Sequence, residues 1–163
     1  MSDLKQMYSD YHCFEGIVEK VVLESEKGRF ILPAPGDEIK QRLTMRRNGR
    51  VSLTRYFSGD FSKVPPTKDV KTMRRFFRKP TEKLMDYLAF YFEKPYAPEF
   101  VCDGSVWVIE LTNTEGKKFS YVGPLEREII IGGLNISAIA RRVLELDELW
   151  VFDGGASIEK SEH

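Results

Sequence analysis

Apolar and polar residues alternate with a period of two through several stretches of this chain. FEGIVEKVVLE, residues 14–24, is rich in β-branched residues and predicts a first strand; after the turn-like SEKG it is answered by RFIL, forming a hairpin. PAPGDE closes that pair, because proline lacks the donor a ladder needs. IKQRLTMRR and RVSLTRYF follow as two further strands around Asn48-Gly49, a strong turn signal. A two-residue loop would set Met45 opposite Ser52 and mix apolar with polar residues on both faces. A three-residue loop, Arg47-Asn48-Gly49, with Gly49 left-handed, instead pairs Met45 with Val51, Leu43 with Leu53 and Ile39 with Phe57. One face is then apolar apart from Gln41 and Arg55, and the other collects Lys40, Arg42, Thr44, Arg46, Arg50, Ser52, Thr54 and Tyr56. A one-residue slip would exchange the faces, so burial of the apolar set selects this register.

From Lys68 the spacing changes. Val70, Met73 and Phe77 recur at three and four, which predicts a helix with Thr67 as N-cap and with Arg74, Arg75 and Arg78 turned outward. Pro80 ends it, and TEKLMDYLAFYFEK makes a second helix with Leu84, Met85, Leu88, Tyr91 and Phe92 on its core face. That helix is apolar around most of its circumference, which points to burial on two sides or to self-association. VWVIELT and KFSYV flank the turn NTEG, and REIII reads as one more strand. Asn135 and Ser137 are rival caps for a third helix with Ile136, Ile139, Ala140, Val143 and Leu144 inward and Arg141 and Arg142 outward. LWVF reads as a short closing strand.

Strands grouped in hairpins, with helices between the groups, predict an α+β domain: antiparallel sheet built from hairpins, with about three helices packed on one face. A chain of 163 residues suits a single domain, 1–163. Hairpins and a basic helix occupy 1–79, the helix-hairpin-helix-strand run occupies 80–153, and 154–163 is expected to be a flexible tail. A hydrophobic fraction of 42% lies in the range of chains that bury a core. No secretory signal or bilayer-length apolar run is present, so a soluble cytoplasmic protein with no membrane partner is expected.

Formal net charge is zero, yet its distribution is uneven. Residues 40–83 carry 14 Lys and Arg against 3 Asp and Glu, an excess of 11 positive charges, while both flanks are acidic. Arg42, Arg46, Arg50 and Tyr56 on a sheet face, with Arg74, Arg75 and Arg78 close by, are the ingredients of phosphate-backbone binding, to which Lys40 and Arg47 add. Surface charge runs are more often merely solvated or paired with acids elsewhere.

Other chemistries are sparsely furnished. Two cysteines, Cys13 and Cys102, make neither a disulfide framework nor a metal-binding pair. His12 beside Cys13 on an extended strand points to the opposite face, so only a long-range meeting with Cys102 would make a thiol nucleophile and base. Gly132-Gly133 lacks the spacing of a phosphate-binding fingerprint and reads as a turn. Glu126 with Glu128, and Asp147 with Glu148, have no third ligand nearby. No catalytic residue, metal site or cofactor is therefore assigned.

CDGSVWVIELTNTEGKKFSYVG, followed by ISAIARRVLEL and LWVF, resembles a pattern found in small uncharacterised α+β proteins, chiefly of Gram-positive bacteria. Those proteins usually carry a proline before the helix, where this chain has IIIGGLN. The resemblance covers roughly the last 55 residues; it implies a fold type and a bacterial source, and no activity. The expected function is that of a non-enzymatic binding or adaptor protein with a protein partner or a second copy of itself. The alternative is nucleic-acid or polyanion binding through Lys40 to Arg78.

Overall fold

Six strands form one antiparallel sheet: β1 (Val18–Glu26), β2 (Glu38–Arg46), β3 (Arg50–Phe57), β4 (Asp69–Phe76), β5 (Val106–Asn113) and β6 (Lys118–Pro124). The order across the sheet is β4-β3-β2-β1-β5-β6. This computed structural model describes residues 13–28, 33–59, 69–96 and 104–155. The proposed strand RFIL and the expected tail beyond Gly155 lie outside them, and β1 pairs instead with β2 and β5. Two helices, α1 (Arg78–Phe92) and α2 (Ile136–Val143), and a small ribbon of β7 (Ile130–Ile131) with β8 (Leu134–Asn135) complete the described chain. The fold is α+β, with two helices among the described residues where about three were expected.

The β2–β3 hairpin has the expected register. Met45 faces Val51 and Leu43 faces Leu53, and all four are buried. Gly49 has φ +100, its N–H donates to the Arg46 carbonyl at 2.9 Å, and Asn48 Oδ1 accepts from Arg50 N at 3.1 Å. Burial of each aliphatic side chain contributes roughly 1.5–3 kcal/mol, which is why the slipped register does not compete. At the far end the expected Ile39–Phe57 pair is replaced: a bulge sets Glu38 opposite Phe57.

The largest departure is residues 69–76, which are a strand and not a helix. The spacing of Val70, Met73 and Phe77 suits a helix face, but Met73, Arg75 and Phe77 also fit a period of two. The unfilled edge of β3 decides the matter, since an eight-residue ladder with β4 satisfies its backbone groups. The helix follows at once: α1 starts at Arg78 with Pro80 inside its first turn, where the missing N–H has no intrahelical partner to lose. Thr67, the expected cap, lies outside the described residues. Along α1, Leu84, Met85, Leu88 and Phe92 are buried as expected, joined by Ala89, while Tyr91 is half-buried.

The helix side of the sheet is covered. Phe92 stacks on Tyr121 at 4.3 Å between ring centroids, and Trp107 meets Phe152 edge-on at 4.9 Å. Across this side runs segment 144–153, where LWVF is not a strand. Val151 takes φ +51, a conformation rare for a β-branched residue. Side chains hold the segment's backbone in place of a ladder. Gln41 donates to the Glu148 carbonyl (2.7 Å) and accepts from Trp150 N (2.8 Å), while Ser25 Oγ donates to the Val151 carbonyl (2.9 Å). Arg141, expected on the outside of its helix, is instead buried against Asp153 in a bidentate pair at 2.7 and 2.8 Å. Asn135, not Ser137, caps α2, accepting from Ala138 N at 3.1 Å. REIII contributes only Ile130–Ile131 to a strand.

Candidate functional site

The other face of the sheet carries no helix among the described residues, and the pleat fixes what it presents. Four rows cross it, read from β4 towards β6 through the strand register. The first holds Phe76, Arg50, Arg46, Lys20, Thr112 and Lys118; the second Arg74, Ser52, Thr44, Val22, Glu110 and Ser120. The third contains Thr72, Thr54, Arg42, Glu24 and Val108, and the fourth Val70, Tyr56, Lys40 and Glu26. The expected separation of cations from apolar side chains is therefore present in the hairpin. The structure adds the neighbours on both sides.

Those neighbours divide the nine basic-segment residues into two groups. Glu24 lies within 3.1 Å of Lys40 Nζ and 3.9 Å of Arg42 Nε, so the acidic β1 neutralises that end. Tyr56 has Lys40 Nζ over its ring at 5.6 Å. Arg47 leaves the face, donating to the Val18 carbonyl (2.6 Å) and to Asp86 of α1 (2.8 Å). Arg78 pairs with Glu82 one helical turn on, at 3.4 Å. Arg75 reaches the Glu145 carbonyl at 3.2 Å. Arg46, Arg50 and Arg74 remain on the open face with no ion pair among the described residues.

A fourth cation joins them. Lys20 sits directly opposite Arg46, and Arg46 and Arg50 flank the turn; Arg74 opposes Ser52, one ladder step from Arg50. The basic-segment count could not include Lys20, because it lies on β1 and only the β1–β2 register brings it alongside. Around Arg46, Arg50, Arg74 and Phe76 the surface forms a shallow depression of about 630 Å³, whose lining also includes Thr44, Val51, Ser52 and Arg75. Among the described residues no carboxylate lines it. Like charges directly opposite on a sheet repel, so Lys20 against Arg46 is a pairing that an anion would relieve.

On the covered side, Arg55 forms a two-point pair with Glu38 at 2.8 and 3.0 Å. Hydrogen bonding to that carboxylate holds the guanidinium above its ordinary range, against the opposing effect of burial. This pair braces the β2–β3 bulge and faces away from the depression.

The remaining motifs do not converge. His12 and Cys102 lie outside the described residues, and Cys13 is a half-buried free thiol. Glu126, Glu128, Asp147 and Glu148 are all exposed. Among the described residues no three His, Cys, Asp or Glu side chains gather into a metal-binding group. Gly132-Gly133 forms the turn of the β7–β8 ribbon, as its spacing suggests. No described helix is long and apolar enough to cross a membrane. No protein-family model, curated protein or solved structure matches the chain.

Proposed function

We propose that the protein is a cytoplasmic, non-enzymatic binding module that holds a phosphate-bearing polymer, nucleic acid, on the open face of its sheet. One observation carries this reading: Lys20, Arg46, Arg50 and Arg74 are neighbours through the strand register, and the depression lined by the three arginines has no carboxylate in its lining among the described residues. Of the excess charge in residues 40–83, Lys40, Arg42, Arg47 and Arg78 are engaged by acids, so the module offers a compact cluster and not an extended basic stripe.

Four phosphate contacts set the expected salt response. With a slope of about −0.7 per contact for single strands, log K should fall with log salt at a slope of about −3. Titration of a labelled oligonucleotide by fluorescence anisotropy at several salt concentrations measures it. Arg46→Glu with Arg50→Glu should abolish binding without unfolding, because substitutions on an exposed strand face change stability by roughly 0.5 kcal/mol or less. Salt-independent retention, or no retention on either oligonucleotide or heparin at low salt, would refute the proposal.

A second reading, a protein partner or a second copy, is favoured by a different surface. Phe90 of α1 and Leu134 of β8 are 51% and 41% exposed, and a groove of about 150 Å³ lies between α1 and α2, with Leu134, Tyr87, Ile139 and Val143 in its lining. Light scattering at micromolar concentration tests the second copy: a monomeric mass removes self-association, and a dimer that Leu134→Glu dissociates supports it.

A further inference from the structure

Phe76 is, at 66%, the most exposed large apolar side chain among the described residues. It lies on the edge strand β4, directly opposite Arg50 and two residues from Arg74 on the same face, so it lines the cationic depression. A lone exposed phenylalanine is ordinary on a protein surface. One that shares a depression with Arg46, Arg50 and Arg74, none of them ion-paired among the described residues, is different, because charge attracts a polyanion and leaves the ring to face whatever that polyanion carries between its phosphates.

We infer that the ligand of the open face is single-stranded nucleic acid, with one base stacked on Phe76 and the flanking phosphates held by Arg46, Arg50 and Arg74. The inference rests on the reading given above and narrows it. Three features select a single strand. The depression is shallow and built on a flat strand face, with no helix or ribbon projecting from it among the described residues to enter a duplex groove. A ring has no accessible base face to meet in a duplex, where bases stack on one another, whereas every unpaired base offers one. Threonine and serine side chains, Thr44 and Ser52, lie between the arginines as further donors to phosphate or sugar. Tyr56 does not provide a second platform of this kind: Lys40 already covers its ring. Among the described residues the stacking site is thus Phe76 alone, which predicts tolerance of base identity.

Fluorescence anisotropy on the full-length protein tests this with four probes at low salt: a 12-nucleotide single-stranded RNA, the DNA of the same sequence, its 12-base-pair duplex, and heparin, which has charge but no bases. The wild type should bind a single strand at least fivefold more tightly than the duplex; the RNA and DNA arms show which sugar is preferred. Phe76→Ala should weaken single-strand binding about fivefold or more, the lower end of one stacked base, and leave heparin binding and the salt slope unchanged. Phe76→Tyr should retain wild-type affinity, which guards against a loss caused by disturbance of β4. Equal affinity for duplex and single strand, or a neutral Phe76→Ala, overturns the stacking inference while heparin binding sensitive to Arg46→Glu and Arg50→Glu keeps the broader proposal. No binding to any probe overturns both.

Discussion

Alanine at Gly49 is the sharpest test of how the basic hairpin is held. Two costs add there. The first is conformational: at φ +100 an L-residue meets its own backbone, at about 1–2 kcal/mol. The second is steric. An added Cβ would lie 2.8 Å from Arg78 Cα and 2.9 Å from Arg78 N, both backbone atoms at the start of α1, so either the turn or the helix must move. Movement strains the Phe77 N–H to Gly49 carbonyl bond (3.0 Å) and the Arg47 bonds to β1 and α1. Overpacking of that kind costs about 1–3 kcal/mol, which brings the total to about 2–5 kcal/mol. Gly116, in the β5–β6 turn, supplies the control: its φ is +83, and nothing lies within 4 Å of an added Cβ. Gly116→Ala should therefore cost only the conformational part. Urea unfolding should show the two variants separated by about 2 kcal/mol with unchanged m, equivalent to roughly 4–8 °C in Tm for a chain of this size. Equal losses would refute the docking of this turn on α1, and with it the account of how the cationic face is positioned.

Two further outcomes follow from the covered side. Asp153→Asn leaves the buried Arg141 guanidinium without its counter-charge and should cost about 3–5 kcal/mol by urea unfolding, with the closing segment 144–153 losing amide protection first; a loss under 1 kcal/mol would mean that the pair does not anchor it. Tyr121 is 2% exposed, and burial, then the neighbouring Cys13, pushes its phenol up to about 12 from an ordinary 10. The folded state keeps that proton while the unfolded state gives it up, so stability should be level below pH 10 on this account and fall between pH 10 and 12. Tyr121→Phe should flatten the fall, and identical pH profiles for both proteins would remove the effect.

Local pattern alone determined much of the molecule. Alternation over residues 40–56 and the Asn48-Gly49 signal were enough for strand faces and register, because burial of Leu43, Met45, Val51 and Leu53 penalises other alignments; only the bulge that sets Glu38 opposite Phe57 escaped the pattern. The β5–β6 hairpin and the core face of α1 were legible for the same reason: each depends on residues within a few positions of one another, whereas Asn135 and Ser137 stayed rival caps for α2 until the Ala138 N–H to Asn135 bond decided between them. Tertiary structure decided what depends on distant partners. Residues 69–76 satisfy two periodicities, and only the open edge of β3 makes them a strand. Gln41 and Ser25 look misplaced on an apolar face, and Arg141 reads as an outward helix residue, until segment 144–153 crosses above them with backbone groups that need partners. The candidate face follows the same rule. Charge counting located an excess of cations, but Glu24 and Asp86 cancel some of them and Lys20 joins the rest, because Coulomb interactions act through space and the register of β1 against β2 sets which charges meet.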